Sequence, residues 1–331
     1  MGNLLDAPKT EKDSHYFADL SGYEIGASGM QGWRLEQEDA HIVAAMPSQP
    51  DHVMVAVFDG HGGAGASLWA SKNLVEILEA RIEWKEYTGG DQKNLGLLCD
   101  ALRNAFLDAD VALRKFQASG HPEADTSGCT AVVCMVTPDT IVCANAGDSR
   151  AVLATNGKTR EMSFDHKPFN NLERTRIEKA GGTVQFNRVD GDLAVSRAFG
   201  DFQYKTSPEL PAEQQKVSPE PDIITHDRVD VDEFLLLACD GLYDVMSNAE
   251  ATGFGRQILQ EGESNMTLMA EEMLDIALEK DSRDNISAIV VKLPGIQIAT
   301  GGGGVMARRK IKEAARAAEQ AEVERTGVSA K

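Results

Sequence analysis

Two uninterrupted apolar runs in the sequence each end in an Asp-Gly pair, and they occupy residues 53–60 and 234–241. Runs of this length, rich in β-branched and large aliphatic residues, are typical of strands that are buried on both faces. A third apolar run, residues 286–293, follows the segment Ser-Arg-Asp-Asn at residues 282–285. The pattern therefore predicts buried strands whose ends bring three carboxylates together, those of Asp59, Asp240 and Asp284.

The remaining apolar positions show the spacing of strands in some segments and of helices in others. Strands are predicted at residues 23–30, 40–46, 129–136, 141–145 and 151–154. Helices are predicted at residues 64–84, 95–117, 172–180, 248–260 and 267–280, where apolar residues recur three or four apart. Turns such as Pro138-Asp139 and Asn156-Gly157 are short, and they favour antiparallel pairing because a parallel crossover needs roughly a dozen residues. The order of elements predicts an α+β fold in which antiparallel sheets are covered by helices.

The two ends of the chain differ from its centre. We expect an N-terminal extension at residues 1–21, one folded domain at residues 22–295, and a glycine linker with a charged tail at residues 296–331. Four consecutive glycines at residues 301–304 are typical of a flexible linker. The tail lacks a continuous apolar stripe, which fits either a solvated helix or disorder. Its basic cluster at residues 308–312 fits a nuclear-import signal or a solvated helix face.

Composition and charge narrow the choice of partners. The 331 residues are 42% hydrophobic and 26% charged, as in soluble globular proteins. Lys and Arg number 33 against 52 Asp and Glu, and the net charge of -19 argues against nucleic acid or an anionic membrane surface as the main partner. No stretch approaches the ~20 apolar residues that span a membrane. We therefore expect a soluble protein with no nucleic-acid partner and no transmembrane segment.

Cysteine usage and the N-terminus bear on location. The sequence has five cysteines, an odd number, and no CxxC motif. Most of them lie in apolar runs, which predicts buried thiols in a reducing compartment. The N-terminus lacks a secretory signal. We expect an intracellular, cytoplasmic protein, and a nuclear one as well if the basic cluster acts as an import signal. Gly2 is a candidate for N-myristoylation. The match is poor, because the myristoylation pattern has Ser or Thr at the position of Asp6.

Converging carboxylates require a positive partner, because burying them unpaired costs several kcal/mol. No cluster of Lys or Arg accompanies them in the sequence, so a hard divalent cation with oxygen ligands is the natural candidate. A competing interpretation is a dinucleotide site at residues 60–65, which match G-x-G-x-x-G. Asp59 adds negative charge where a pyrophosphate would sit, and no apolar second strand follows the helix. The metal site is therefore the better interpretation.

Eight segments, in order, make the chain similar to the protein phosphatase 2C family of metal-dependent serine/threonine phosphatases. They are GWRLEQEDAH at residues 32–41, VFDGHGG at 57–63, SGCTA at 127–131, NAGDSR at 145–150, DHKP at 165–168, DLAVSRAFGD at 192–201, ACDG at 238–241 and SRDN at 282–285. The resemblance covers about residues 22–293. It implies a central β-sandwich of two antiparallel sheets flanked by helix pairs, in four αββα layers.

The resemblance also implies a set of metal ligands. Asp59 would bridge two Mg²⁺ or Mn²⁺ ions and the carbonyl of Gly60 would bind one of them. Asp240 and Asp284 would complete the protein ligands. Two further acidic residues would act mainly through water: Glu38 and Asp39. For Asp148 two interpretations stay open, a weaker third metal ion or a turn residue that accepts local hydrogen bonds.

The implied reaction is direct hydrolysis of phosphoserine or phosphothreonine in proteins. A hydroxide that bridges the two ions attacks phosphorus, with no phosphoenzyme. Arg34 would clamp the phosphate oxygens, although Arg34 and Glu38 at a spacing of four also fit a surface helix pair. His61 would protonate the leaving alkoxide. Lys167 and Arg188 are further candidates on the phosphate side.

The implied partners are phosphoprotein substrates, and we expect a monomer. A regulatory binding module that keeps the fold but not the turnover is the alternative from another class, but every expected ligand Asp is present. A two-metal nuclease fits the charge of -19 badly. Residues 203–221 resemble the variable flap of the family, near its active site. Their sequence predicts an exposed loop and names no substrate.

Overall fold

The apolar runs form strands of two antiparallel sheets in a computed structural model that describes residues 4–90 and 94–326. The strands are β1 Leu4–Leu20, β2 Tyr23–Arg34, β3 Ala40–Met46, β4 Gln49–Phe58, β5 Gly60–His61, β6 Gly128–Cys129, β7 Ala131–Val136, β8 Thr140–Ala146, β9 Arg150–Thr155, β10 Lys158–Glu161, β11 Val184–Gln185, β12 Arg188–Val189, β13 Phe199–Gly200, β14 Asp222–Asp227, β15 Asp232–Ala238 and β16 Ile286–Lys292. The helices are α1 Gly65–Ala80, α2 Ile82–Gly89, α3 Leu95–Gln117, α4 Asn171–Lys179, α5 Asp240–Tyr243, α6 Asn248–Gln260, α7 Met266–Glu279 and α8 Gly304–Thr326. Two short 3₁₀ turns lie at Phe202–Tyr204 and Ala212–Gln214.

One sheet has six strands in the order β1-β2-β16-β15-β9-β10, and the other has five in the order β14-β8-β7-β4-β3. Their facing surfaces form one apolar core, to which Val53, Val55 and Val57 of β4 contribute together with Leu235 and Leu237 of β15. The outer face of the five-stranded sheet packs against α1, α2 and α3, and that of the six-stranded sheet against α6 and α7. The predicted α+β sandwich flanked by helices is therefore confirmed.

The two central strands are apolar throughout because both of their faces are buried. In β4 the side chains of Met54 and Phe58 point to the helices, between the valines that point to the other sheet. In β15, Phe234 and Leu236 likewise pack against the helix layer. Alternate residues of a strand face opposite sides of the sheet. A continuous apolar run is the expected sequence of such a strand.

The predicted helix at residues 64–84 is two helices in the structure. Arg81 separates α1 from α2 with an extended backbone, at φ -64° and ψ 142°. Its guanidinium pairs with Glu83 at 2.9 Å and with Asp108 of α3 at 2.5 Å. The apolar spacing continues past this break, since Trp84 and Tyr87 are buried, and so the sequence pattern did not reveal it.

The N-terminal extension pairs with the folded domain along most of its length. β1 lies at the edge of the six-stranded sheet and pairs with β2 from Leu4 opposite Arg34 to Leu20 opposite Tyr23. Most of its residues are exposed or half-buried. An edge strand with polar side chains lacks the apolar alternation by which strands are predicted. Lys12 also pairs with Asp275 of α7 at 2.6 Å.

The tail forms the helix α8, and its first turns pack on α6 and α7. Val305 is buried in the core beside those helices. Arg308 makes two hydrogen bonds to Glu261, at 2.7 and 2.6 Å, and Lys312 donates to Glu272 at 3.0 Å. A flexible glycine linker predicts a tail that moves independently of the domain. In the structure the tail helix lacks an apolar stripe, but ion pairs attach it to the domain. The domain boundary at residue 295 stays a prediction.

Candidate metal centre and active site

The ends of strands from both sheets meet at one edge of the sandwich. Asp59 directly follows β4 of one sheet, and Asp240 comes two residues after β15 of the other. A cavity of about 220 Å³ opens there. It is lined by eight of the eleven residues that the sequence singled out: Arg34, Asp59, Gly60, His61, Asp148, Arg188, Asp240 and Asp284.

The other three candidates lie in contact with this group. Glu38 Oε1 accepts a hydrogen bond from the backbone N–H of Gly63 at 2.6 Å, in the turn that follows Asp59. Asp39 has a carboxylate oxygen within 4.8 Å of ligand atoms on Asp59 and Cys239. Lys167 forms an ion pair with Asp148. The structure therefore brings the predicted site residues to one place, and we call Asp39, Asp59, Asp240 and Asp284 the strand-end cluster.

The glycine after each strand-end Asp is required by close packing. A Cβ on Gly60 would overlap the backbone carbonyl of Glu38, and a Cβ on Gly241 would overlap that of Asn285. Asn285 ties the same segments together, because its Oδ1 accepts from the N–H of Glu38 at 3.0 Å and its Nδ2 donates to the carbonyl of Glu36 at 2.9 Å. The Asp-Gly pairs thus bring the chain segments of the site within contact of each other.

The strand-end cluster carries more negative charge than its surroundings offset. Burial, followed by the charge of Asp240, raises the pKa of Asp59 well above its usual value. Burial, followed by the charges of Asp148 and Asp284, does the same to the pKa of Asp240. Burial raises the pKa of Asp39 to about 7, against the hydrogen bond from Ser287. Each of these carboxylates would become easier to ionise beside a cation.

The donor set of the cluster fits a hard divalent cation. Its ligand atoms are carboxylate oxygens, which Mg²⁺ and Mn²⁺ prefer. Oδ1 of Asp39 is buried and has no hydrogen-bond partner among the described residues, so it has an unused lone pair. Cys239 is the nearest soft donor, but burial raises the pKa of its thiol well above the usual value. A thiol that keeps its proton is a poor metal ligand.

Two of the basic side chains that line the cavity, those of Arg34 and His61, lie next to carboxylates. Arg34 Nη2 donates to Asp284 Oδ2 at 2.6 Å, which rules out the alternative of a helix surface pair with Glu38 because Arg34 ends a strand. His61 Nε2 contacts Asp201 Oδ2 at 2.7 Å. Burial by itself would lower the pKa of His61, but the charge and hydrogen bond of Asp201 raise it above its usual value.

Asp148 is buried, and its carboxylate is bound by Lys167. Burial alone would lower the pKa of Lys167, but the negative charge of Asp148 raises it. Asp148 is therefore more than a turn residue with local hydrogen bonds. Arg188 also lines the cavity, and its Nη1 donates to the carbonyl of Asp192 at 2.5 Å.

The lining of the cavity differs from the expectation that residues 203–221 form a flap near the active site. Arg188 and residues 193–195 line the cavity, and none of residues 203–221 does so within the described chain. Tyr204 and Val217 of that loop instead belong to a small apolar core with Ile177 and Val189. The loop therefore contributes apolar residues to this core and not to the cavity lining.

Sequence reasoning missed two residues that the structure places at the site. Asp201 ends the segment DLAVSRAFGD, and nothing in its spacing points to His61, 140 positions away. Thr130 Oγ1 accepts from the N–H of Asp59 at 3.3 Å. Both lie in segments that the family resemblance had already marked, and this was their only sequence signal.

Comparisons with known proteins agree with this geometry. The sequence pattern of the family described as Protein phosphatase 2C matches residues 23–286. Protein phosphatase ppm-1.A of Caenorhabditis elegans is 42% identical over 308 residues, which are 89% of this chain and 64% of that protein. Protein phosphatase 1A of Homo sapiens is 39% identical over 297 residues, which are 89% of this chain and 76% of that protein.

A solved structure shows the same fold. The crystal structure of a phosphatase from a pathogenic strain of Toxoplasma gondii superposes with a TM-score of 0.73 at 27% identity, and the match covers 87% of this chain and 97% of that one. The match of family pattern, relatives and fold extends over the segments that build the cavity. The chain therefore belongs to the protein phosphatase 2C family of metal-dependent serine/threonine protein phosphatases.

Proposed function

We propose that the strand-end cluster is the active site of this protein and that two Mg²⁺ or Mn²⁺ ions bind there. The observation that carries the proposal is the set of buried carboxylates whose pKa values are raised by burial and by one another. Asp59, Asp240 and Asp284 would hold the ions together with the carbonyl of Gly60. Glu38 and Asp39 would contact them mainly through water.

The two ions, when bound, would supply an activated water and neutralise charge on the phosphate. The side chains around them orient the substrate. Arg34 uses a single N–H on Asp284 among the described residues, so several of its five donors remain for phosphate oxygens. Arg188 lines the same cavity and would add a second guanidinium on the phosphate side.

His61 would hand a proton to the leaving alkoxide of serine or threonine. An alkoxide is a poor leaving group, so a positioned acid contributes roughly 10²–10⁴-fold to such a step. His61 suits this role because the charge of Asp201 raises its pKa above the usual value, which favours the protonated form. The acid lies two residues after Asp59, next to the proposed metal site.

Lys167 would set the charge balance at Asp148. Its ammonium already neutralises this buried carboxylate, so a third metal ion at Asp148 would have to displace Lys167. That competition supports a third ion that binds more weakly than the first two. Lys167 could then contact the substrate phosphate once it is released.

The substrates would be phosphoproteins in the interior of the cell. The five cysteines are free thiols and four of them are buried, which supports a reducing compartment. In the described residues no helix is long and apolar enough to cross a membrane. The prediction for Gly2 lies outside the described residues. We propose a monomer, because helices of the same chain cover the outer faces of both sheets.

The basic cluster at residues 308–312 would act first as a docking element and serve as an import signal only when released. Arg308, Arg309 and Lys312 are engaged by acidic residues of α6 and α7. A cytoplasmic location is therefore the primary proposal. Nuclear import by this cluster would require α8 to detach.

The test of the proposed function is hydrolysis of p-nitrophenyl phosphate and of a phosphothreonine peptide with and without Mn²⁺. We expect activity with the ion and loss to background in EDTA, with recovery when Mn²⁺ is added back. Circular dichroism in EDTA checks that the protein is still folded. Full turnover in EDTA by a folded protein would contradict the two-ion mechanism.

A further inference from the structure

Asp201 is buried next to His61 and has no other role in the site described above. Its side chain is only 3% exposed, and within residues 4–90 and 94–326 its carboxylate hydrogen-bonds only to His61. An ionised carboxylate can only accept, so the proton of this 2.7 Å bond lies on Nε2 of the imidazole. Nδ1 of His61 has no partner among the same residues and is the nitrogen left for a substrate.

The backbone that presents Asp201 is unusual. Gly200 and Asp201 both have positive φ, at 76° and 53°, and this region is uncommon for a residue other than glycine. A buried ion pair holds the turn. Asp110 Oδ1 accepts from the N–H of Gly200 at 2.9 Å and from Lys205 Nζ at 2.6 Å. Strain of this kind persists only when the surroundings enforce it, and it is concentrated at functional sites.

Gly128 leaves the space in which the two side chains meet. Its backbone lies between β5 and β13, opposite His61 on one side and Gly200 on the other. A Cβ at this position would overlap both Asp201 Oδ2 and His61 Nε2. Any residue with a side chain would therefore push the imidazole and the carboxylate apart.

We propose that Asp201 is the positioning residue of His61, and that Gly128 is required for their contact. Asp201 fixes the ring orientation and holds the proton on Nε2, so that the His61 imidazolium gives its Nδ1 proton to the leaving group and is left as the neutral Nε2–H tautomer. This inference rests on the proposed role of His61 as general acid. It predicts that loss of Asp201 affects substrates with poor leaving groups more than substrates with good ones.

The kinetic test compares phosphoserine, an alkyl phosphate, with p-nitrophenyl phosphate, whose leaving group departs without a proton. Asp201→Ala is expected to lower kcat on phosphoserine at least about tenfold more than on p-nitrophenyl phosphate, a part of the full contribution of an acid. Asp201→Asn keeps an acceptor of the same shape and should recover most of that difference. Gly128→Ala should reproduce the effect of Asp201→Ala with both His61 and Asp201 still present, because its Cβ would separate them.

The chain offers a matched control in a second histidine–aspartate contact. His226 Nε2 lies 2.9 Å from Asp232 Oδ2, and Asp232 is fully buried. Asp232 begins β15, whose other end leads to Asp240, so the contact lies roughly 20 Å from the cavity. Asp232→Ala should lower the melting temperature but leave the ratio of the two kcat values unchanged.

A spectroscopic readout does not depend on turnover. In metal-free protein with ¹⁵N-labelled histidine, the Nε2–H of His61 should give a downfield proton signal that exchanges slowly with solvent. Asp201→Ala should remove this signal and Asp232→Ala should keep it. His61→Gln assigns it.

The outcomes separate this inference from the proposed function. If His61→Gln slows both substrates equally, the general-acid role fails and the inference fails with it. If His61→Gln discriminates between the substrates and Asp201→Ala does not, in a variant that melts cooperatively, only the role of Asp201 is overturned. Persistence of the downfield signal in Asp201→Ala would overturn it as well.

Discussion

Two buried carboxylate groups in this protein respond to burial in opposite ways. In the strand-end cluster, the pKa values of Asp59 and Asp240 are raised well above their usual range, because burial and neighbouring carboxylates disfavour ionisation. At Glu173 of α4, burial also raises the pKa, but hydrogen bonds and charges from Arg197 and Arg176 outweigh it and hold the pKa at about 2. Burial alone therefore does not decide the charge of a carboxylate.

The two sites differ in the hydrogen-bond donors and positive charges that the chain places beside the carboxylates. Glu173 is 4% exposed and accepts from Arg176 at 2.6 Å, from Arg197 at 2.8 Å and from Ser196 at 2.6 Å. Its charge is satisfied by the fold. In the strand-end cluster, among the described residues, the Arg34 side chain donates to Asp284 and the Ser287 hydroxyl donates to Asp39. These interactions leave a surplus of negative charge. Glu173 is offset by two guanidinium groups of the chain, whereas the four carboxylates of the strand-end cluster share one hydrogen-bonded cation in the described part of the chain, Arg34.

The largest expected effect comes from removing a ligand of the strand-end cluster. Asp59→Asn or Asp240→Asn should lower kcat by at least about two orders of magnitude, because a lost ligand disrupts the charge stabilisation of the transition state. The measurement is kcat on p-nitrophenyl phosphate at saturating Mn²⁺. Asp232→Asn, at a buried carboxylate outside the cavity, serves as the control. A ligand variant with normal kcat would show that its residue is misassigned.

At Glu173 the expected effect is on stability. Glu173→Gln removes the carboxylate that pairs with Arg176 and one of the two that pair with Arg197, which keeps Asp222. It should lower the free energy of unfolding by about 3 kcal/mol, measured by urea unfolding at pH 7. Glu178→Gln, an exposed position of the same helix, should change it little.

The same variant tests the sign of the pH dependence. The folded-state pKa of Glu173 is about 2, below the usual 4.5, so its contribution is fully present above pH 4.5 and is lost as the pH falls towards 2. The difference in free energy of unfolding between the native protein and Glu173→Gln should therefore become smaller as the pH falls. A difference that increases at low pH would contradict the lowered pKa of Glu173.

A smaller effect is expected from adding metal to the native protein. Binding to the folded state stabilises it by about 2.7 kcal/mol at a hundredfold excess over Kd. Mg²⁺ should therefore raise the melting temperature by a few degrees. Asp59→Asn should lose this gain while Glu173→Gln keeps it, because Glu173 is neutralised by the chain. Equal gains in both variants would place the ion elsewhere.

The smallest effect is expected from removing α8. A chain that ends at Thr300 should keep kcat/KM on p-nitrophenyl phosphate, since no described residue of α8 lines the cavity. Its free energy of unfolding should fall by at least about 1 kcal/mol, because Glu261 loses a partly exposed ion pair, the buried Glu272 loses its partners and Val305 leaves the core. A tenfold drop in kcat/KM would show that the helix supports the catalytic site.

The sequence determined the features that rest on local patterns. The doubly buried strands could be predicted because apolar residues continue through positions of both faces, and α3 and α6 because apolar residues recur at helical spacing. Their bounds in the structure are Leu95–Gln117 and Asn248–Gln260, as predicted. The candidate site residues could be named because short segments around them resemble a known family, and eight of them line one cavity.

Tertiary structure alone decided the contacts between distant polar residues. The docking of α8 by Arg308 and the contact of Asp201 with His61 depend on groups brought together across many residues of chain. Ion pairs and edge-strand hydrogen bonds leave no periodic signal, because either partner by itself resembles an ordinary solvated residue. Hydrophobic burial is recorded in the sequence as a pattern, whereas the partner of a charge is fixed only when the chain has folded.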